Sequence, residues 1–280
     1  MKAASSRRRG IPETGIRLAA FALWSAAIAA AWVIRRPPIP AAERPRRAAA
    51  FTRLWSRGVL RILGVEVRVQ GRPPRPPCFL VSNHLGYLDI AVLASRVECT
   101  FVSKREVSGW PGLGTLADLA GTLYIDRSSH RDAERVSRAV ADHLSAGGSL
   151  ALFPEGTSSP GFEVGPFRSP LLAYPAAARL PVHAAALRYH APSGFPPAAL
   201  SMAWWGDAEF LPHFLALFRM PGMRVDLAFA EEPIIASDRK ELAAGLREAV
   251  ARRLEGLEGG PRRPADRAAA ALRAAEEALA

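Results

Sequence analysis

Cysteine is scarce: the 280 residues contain two, Cys78 and Cys99, and they form no CxxC pair. A disulfide framework and a thiolate zinc site are therefore excluded. Each cysteine opens an apolar stretch, where a small buried thiol is the ordinary reading, and reduced thiols fit a domain facing the cytosol. There is no HExxH string and no clustering of carboxylates with histidines, so no metal centre is expected. Nor is there zinc-finger spacing, or the interleaving of aromatic and basic residues that marks a nucleic-acid reader, so no nucleic-acid partner is expected. The string Gly147-Gly148-Ser149-Leu150-Ala151 nearly matches the hydrolase elbow G-x-S-x-G. The elbow follows a strand and opens a helix, whereas Ser149 follows a helix and opens a strand, so it reads as a turn.

What the chain does have is positive charge at one end. The formal charge is +11, and residues 1–50 hold ten Lys or Arg against Glu13 and Glu43. These charges bracket the apolar run from Gly15 to Ile34, about the 20 residues that cross a bilayer. Basic flanks around such a run suit a lipid headgroup surface. Basic residues on both sides leave open whether the segment spans the bilayer or lies in its interface. A cleavable signal peptide is the competing reading, disfavoured by the length of the run. Pro37-Pro38-Ile39-Pro40 ends this helix. Ala41 to Leu63 then carries Phe51, Leu54, Trp55, Val59, Leu60 and Ile62 at helical spacing among arginines, an amphipathic helix for a membrane surface or for the core.

Beyond residue 64 strands and helices alternate. Val65 to Val69 alternates as a half-buried strand, and Cys78-Phe79-Leu80-Val81, Cys99 to Ser103, Gly121 to Arg127, Leu150 to Phe153, Leu180 to Leu187 and Val225 to Phe229 read as further strands. Helices are predicted over Trp110 to Leu119, Arg131 to Leu144, Pro170 to Arg179 and Arg239 to Leu254, the last capped by Asp238. This pattern predicts an α/β fold, a mixed and largely parallel sheet flanked by helices, with an N-terminal membrane-associated helical segment. Three regions result: basic membrane-anchoring helices over 1–64, one domain over 65–258, and an Ala-rich tail over 259–280. The aromatic stretch around Trp204, Trp205 and Phe214 suits core packing, an acyl groove or a membrane interface.

The reactive candidates follow the strand ending at Val81, in Ser82-Asn83-His84-Leu85-Gly86-Tyr87-Leu88-Asp89. Two residues five apart lie roughly 140° apart on a helix, so both cannot face a substrate from its middle. His84 is therefore expected in the loop and Asp89 in the first helical turn, where the positive end of the dipole favours a carboxylate. The carboxylate can then fix one ring nitrogen and leave the other to take a proton from an alcohol.

Asn83-His84, four residues and Asp89 resemble the first motif of the glycerolipid acyltransferases, the family of 1-acyl-glycerol-3-phosphate acyltransferase. Three further matches follow in order: Gly121 to Ile125 closing in Asp126-Arg127, Phe153-Pro154-Glu155-Gly156-Thr157, and Phe167-Arg168 leading to an apolar strand with Pro181 at its start. The resemblance covers about residues 70–190. It implies transfer of an acyl group from an acyl thioester, on coenzyme A or acyl carrier protein, to the hydroxyl of 1-acyl-glycerol-3-phosphate in the membrane, with the catalytic domain on the cytoplasmic face and no cofactor. His84 would be the base and Asp89 its orienting partner. Lys104, Arg127, Glu155, Gly156 and Thr157 would bind substrate. One departure bears on the acceptor: Ser158-Ser159 stands where relatives acting on lysophosphatidate commonly carry Arg. Arg168 could replace that cation, or the acceptor could be lyso-ornithine lipid or another lysolipid, an alternative to which Trp205-Gly206-Asp207 and Leu211-Pro212-His213 also bear a resemblance. A non-catalytic, membrane-tethered lipid-binding scaffold is the reading of a different class, and a lipid hydrolase is disfavoured by the missing elbow. Arg127→Ala is expected to raise the KM for acceptor more than that for thioester in steady-state assays. An effect confined to the thioester would remove the headgroup role.

Overall fold

A computed structural model describes residues 11–34, 40, 43–126 and 129–257. The tail expected over 259–280 and the side chain of Arg127 lie outside the described residues. The strands, in chain order, are β1 (Val65–Gln70), β2 (Phe79–Ser82), β3 (Thr100–Lys104), β4 (Leu123–Ile125), β5 (Leu150–Leu152), β6 (Val182–His190) and β7 (Met223–Phe229). They form one sheet in the order β1-β7-β6-β2-β5-β3-β4. β6, β2, β5, β3 and β4 run in one direction; β1 and β7 pair in parallel and meet the rest through the antiparallel β6/β7 ladder. The mixed, mostly parallel sheet expected from the alternation is therefore what forms. The connections between its parallel neighbours carry helices, as such crossovers require.

Helices α1 (Ile11–Ile34), α2 (Arg44–Leu63) and α3 (Leu88–Arg96) lie on one face, and α4 (Leu113–Leu119) follows β3. Helices α5 (His130–Ser145), α6 (Ala173–Ala177) and α9 (Arg239–Glu255) cover the other, and α7 (Ala198–Ser201) and α8 (Phe210–Arg219) stand between β6 and β7. Alternation along the strands feeds two cores. Leu80, Leu187, Leu227 and Phe229 pack with Val59 and Leu63 of α2 and Val92 of α3. Phe79, Val81, Ala184 and Ala186 pack with Val136 of α5 and Leu242 and Leu246 of α9. α2 is thus a core helix, burying Phe51, Val59, Leu60 and Leu63.

Two predicted helices differ in detail. Pro111-Gly112 delays the first, so a 3-10 turn at Arg105–Gly109 precedes an α-helix that begins only at Leu113. The segment expected as a helix from Pro170 to Arg179 divides into a 3-10 turn, Pro170–Leu172, and a short α-helix closing at Ala177; Pro175 has no N–H to extend the ladder. Arg17 of α1 turns towards α8. Its guanidinium donates to the carbonyls of Met220 (3.0 Å) and Phe218 (3.4 Å) at the end of α8, where unpaired helix carbonyls favour a cation. Trp24 Nε1 donates to Trp55 O (3.0 Å) and Trp55 Nε1 to Ser25 Oγ (3.0 Å), fastening α1 to α2.

Asn83 fixes the end of β2. Fully buried, it donates through Nδ2 to Leu187 O (3.0 Å) and accepts from Leu187 N (2.8 Å), extending the parallel register of β2 and β6. Asn83→Ala leaves both backbone groups without partners in the dry interior. It is expected to destabilise the fold by about 2 to 4 kcal/mol, read as a lower denaturant midpoint.

Candidate active site

In a parallel α/β sheet, ligands collect outside the carboxyl ends of the strands. Here that edge carries His84 after β2, Phe153 to Thr157 after β5, Lys104 at the end of β3 and Asp126 after β4. Parallel pairing of β2 with β5 brings His84 beside Glu155 although 71 residues separate them.

The His84–Asp89 geometry is the one the spacing requires. Asp89 lies in the first turn of α3 and His84 in the loop before it. Nδ1 of His84 is 2.8 Å from Oδ2 of Asp89, so Nδ1–H donates to the carboxylate and Nε2 carries the free lone pair. Asp89 is fully buried. The same Oδ2 accepts from Leu85 N (2.6 Å) and Gly86 N (3.0 Å), and Oδ1 accepts from the hydroxyl of Tyr189. Burial and the neighbouring Asp89 push the Tyr189 phenol well above its ordinary pKa, so Tyr189 keeps the proton it donates. The His84 ring stacks on Phe153 at 4.1 Å and 14°, which confines it to one plane. Gly86 lets the loop run close under Trp204: a Cβ there would stand 3.1 Å from Trp204 N, and Trp204 N donates to Leu85 O (2.8 Å).

The Glu-Gly-Thr turn holds the histidine's backbone. Glu155, expected on substrate, is placed differently: it is buried, with Oε1 accepting from His84 N (2.9 Å) and Oε2 from Gly165 N (3.1 Å). Each oxygen accepts from a backbone amide, and burial raises the carboxyl above its ordinary pKa. On the other side of the same residue, His84 O accepts from Ser159 N (2.9 Å) and Ser159 Oγ (3.3 Å). Gly156 takes a left-handed conformation, φ 74°, and the guanidinium arm of Arg168 lies over it, 3.1 Å from where a Cβ would project. Thr157, Lys104 and Arg168 are exposed at the edge. Arg127 cannot be added to this geometry, as it lies outside the described residues.

Between the N-terminal helices, α3, α4 and α8 is an apolar cavity open to solvent, walled by Phe21, Trp55, Phe101, Trp110, Phe214 and Phe218 among others; His84 is not one of its lining residues. Tyr87 and Leu88, just after His84 in the chain, line it. Phe101 also lines it and stacks on Phe153 at 6.1 Å, so an aromatic file runs from the cavity to the imidazole. A second histidine–carboxylate pair offers a contrast. His190 Nε2 is 2.7 Å from Asp226, while its Nδ1 accepts from Arg224 (3.1 Å). With both nitrogens engaged it has none for proton transfer.

Sequence reasoning missed Tyr189 and the parts played by Ser159 and Asn83. Tyr189 lies 100 residues from Asp89, and nothing local distinguishes it from a core tyrosine.

The arrangement is a carboxylate-held histidine on the carboxyl edge of an α/β sheet, with an apolar cavity nearby. A family model described as Acyltransferase matches residues 65–188. A lyso-ornithine lipid O-acyltransferase of Pseudomonas aeruginosa is 36% identical over 79% of this chain and 84% of its own. A 1-acyl-sn-glycerol-3-phosphate acyltransferase of Neisseria meningitidis is 33% identical over 69% and 76%. The crystal structure of PlsC from Thermotoga maritima, a 1-acyl-sn-glycerophosphate acyltransferase, superposes with a TM-score of 0.62 at 20% identity, covering 89% of this chain and 100% of that one, a likeness of fold. The chain belongs to the acyltransferase family.

Glu155 gives the site a pH dependence. With the folded pKa raised above the ordinary 4.5, the folded state holds the proton to higher pH than the unfolded state. The contribution of Glu155 to stability is therefore full below pH 4.5 and declines as pH rises through the folded value. The stability difference between the parent and Glu155→Gln, followed by thermal melts, is expected to shift against the parent across that rise.

Proposed function

We propose that this chain is an O-acyltransferase that carries a fatty acyl group from an acyl thioester to the free hydroxyl of a lysolipid. The observation that carries the reading is the 2.8 Å contact between His84 Nδ1 and Asp89, with an apolar cavity linked to the imidazole through Phe153 and Phe101. His84 Nε2 takes the proton of the lipid hydroxyl as its oxygen attacks the thioester carbonyl. Asp89 holds the ring and stabilises the imidazolium. The tetrahedral oxyanion collapses, the carbon–sulfur bond breaks, and the departing thiolate takes the proton back from His84. No serine or cysteine in the motifs calls for a covalent intermediate. The cavity takes the acyl chain. Glu155 and Ser159 hold His84 from its two backbone groups and so act as positioning residues.

The acceptor is a lysolipid with an anionic group, for which Arg168 over Gly156 supplies a guanidinium. Lyso-ornithine lipid is the favoured acceptor: the serine at 159 is committed to the His84 carbonyl, and relatives named for that acceptor match 36% and 33% of aligned residues. Lysophosphatidate is the second reading, favoured by the cation that Arg168 brings to the turn and by the Neisseria relative. The donor is acyl coenzyme A or acyl carrier protein. The enzyme sits at the membrane through α1, whose run Glu13–Ile34 is apolar and long enough to cross it, with the catalytic domain facing the cytosol, where its two buried cysteines stay reduced.

His84→Ala is expected to abolish acyl transfer while leaving folding and membrane association intact. Equal turnover by purified mutant and parent would end the mechanism. A panel of lysolipids offered with a labelled acyl thioester is expected to give the highest kcat/KM for lyso-ornithine lipid, and a higher value for lysophosphatidate would reverse the order of the two acceptors.

A further inference from the structure

Helix α8 has an unusual composition for its position. Its sequence, Phe210 to Arg219, holds only His213 and Arg219 as polar side chains, and a helix that is apolar on every side belongs in a protein core or in lipid. It is not in the core on every side. Phe210, Phe214, Leu217 and Phe218 point inward and line the cavity. The opposite stripe is open: Leu211 is 60% exposed, Pro212 and Ala216 are exposed with it, and exposed Arg219 ends the stripe in the last turn, where its charge can reach headgroups. The segment leading into α8 adds Leu200 and Trp205, each 39% exposed. The Nε1 proton of Trp205 is already given to Ala199 O (2.7 Å), so its indole presents an apolar edge without an unmet donor.

This patch continues the surface of the membrane helix. Phe21 of α1 packs edge-to-face on Phe214 (5.5 Å) and Phe218 (5.6 Å), and Arg17 of α1 is bonded to the end of α8. Beyond these contacts α1 exposes Ile16 at 69% and Leu23 at 71%. We infer that α8, with Trp205 and Leu200, is a second membrane contact, seated in the same leaflet as α1, whose occupant is the acyl region of the bilayer. A short helix lying in the interface plane needs no spanning length, and tryptophan is favoured at that depth. Asp207 and Glu209, exposed in the loop beside Trp205, stay on the water side with the headgroups. The inference rests on the membrane association proposed for α1. It adds that the wall of the acyl cavity is itself inserted, so that lipid chains pass to the site beside α8 without crossing water.

The test uses the full chain carrying a single bimane label at Leu211→Cys, at Leu23→Cys on α1, or at Arg138→Cys on the outer face of α5. The two native cysteines are buried and escape labelling. Vesicles of phosphatidylcholine and phosphatidylglycerol with doxyl-labelled acyl chains should quench the label at 211 as strongly as at 23 and leave 138 bright. Leu211→Glu should weaken vesicle binding on the order of tenfold, the loss of one inserted leucine. Quenching at 23 without quenching at 211 would overturn the second contact and keep the first. Loss of quenching at both would overturn both. A 211 signal already blue-shifted without lipid would assign the patch to another part of the chain, or, if it grows with protein concentration, to a second copy, and would equally overturn the inference.

Discussion

The carboxylate of Asp89 is the constraint on which the site depends. Sealed from water, it accepts from the His84 ring, from two amides of the loop that carries that ring, and from Tyr189 on β6, the strand paired with β2. A buried charge is tolerated only when hydrogen bonds replace its water, and here the groups that replace it are those that must be held. Satisfying the carboxylate therefore shapes the loop, sets the imidazole tautomer and ties α3 to β6 at once. Removing any of these donors would leave a charge in the interior short of a partner, which keeps the geometry closed around a single arrangement.

Around that point polar and apolar surfaces are divided. The protein-facing side of His84 is occupied by Glu155 and Ser159, which take its amide and carbonyl, so the residue can move only at its side chain, and Phe153 restricts that. The cavity side is aromatic and aliphatic, furnished by α1, α2, α3, α4 and α8. The proposed reaction needs this division, because an acyl chain gains from dry walls while the reacting oxygen needs a base held at a fixed distance. The N-terminal helices thus contribute to the cavity: Phe21 of α1 and Trp55 of α2 are walls.

Much of this was legible in the chain. The alternation of short apolar runs with helical stretches led to a mostly parallel sheet, and the five-residue separation of His84 and Asp89 demanded a loop histidine and a first-turn aspartate. Such inferences succeed because they rest on local periodicity and on the positive end of a helix, both encoded within a few residues. Glu155 went otherwise. The family resemblance put Glu155 on substrate, and only the pairing of β2 with β5 reveals that it accepts from the amides of His84 and Gly165. Ser159 reads as the loss of a cation, and the fold gives it a second task on the His84 carbonyl.

What the sequence determined by itself was the set of elements, the reactive pair and the apolar N-terminal run, since each is written in spacing along one stretch of chain. Tertiary structure alone decided who satisfies Asp89 from 100 residues away, which helices wall the cavity, and that α2 faces the core instead of the lipid. Those outcomes depend on which strands become neighbours, and strand order is settled by burying two sheet faces at once, a condition no local segment can express.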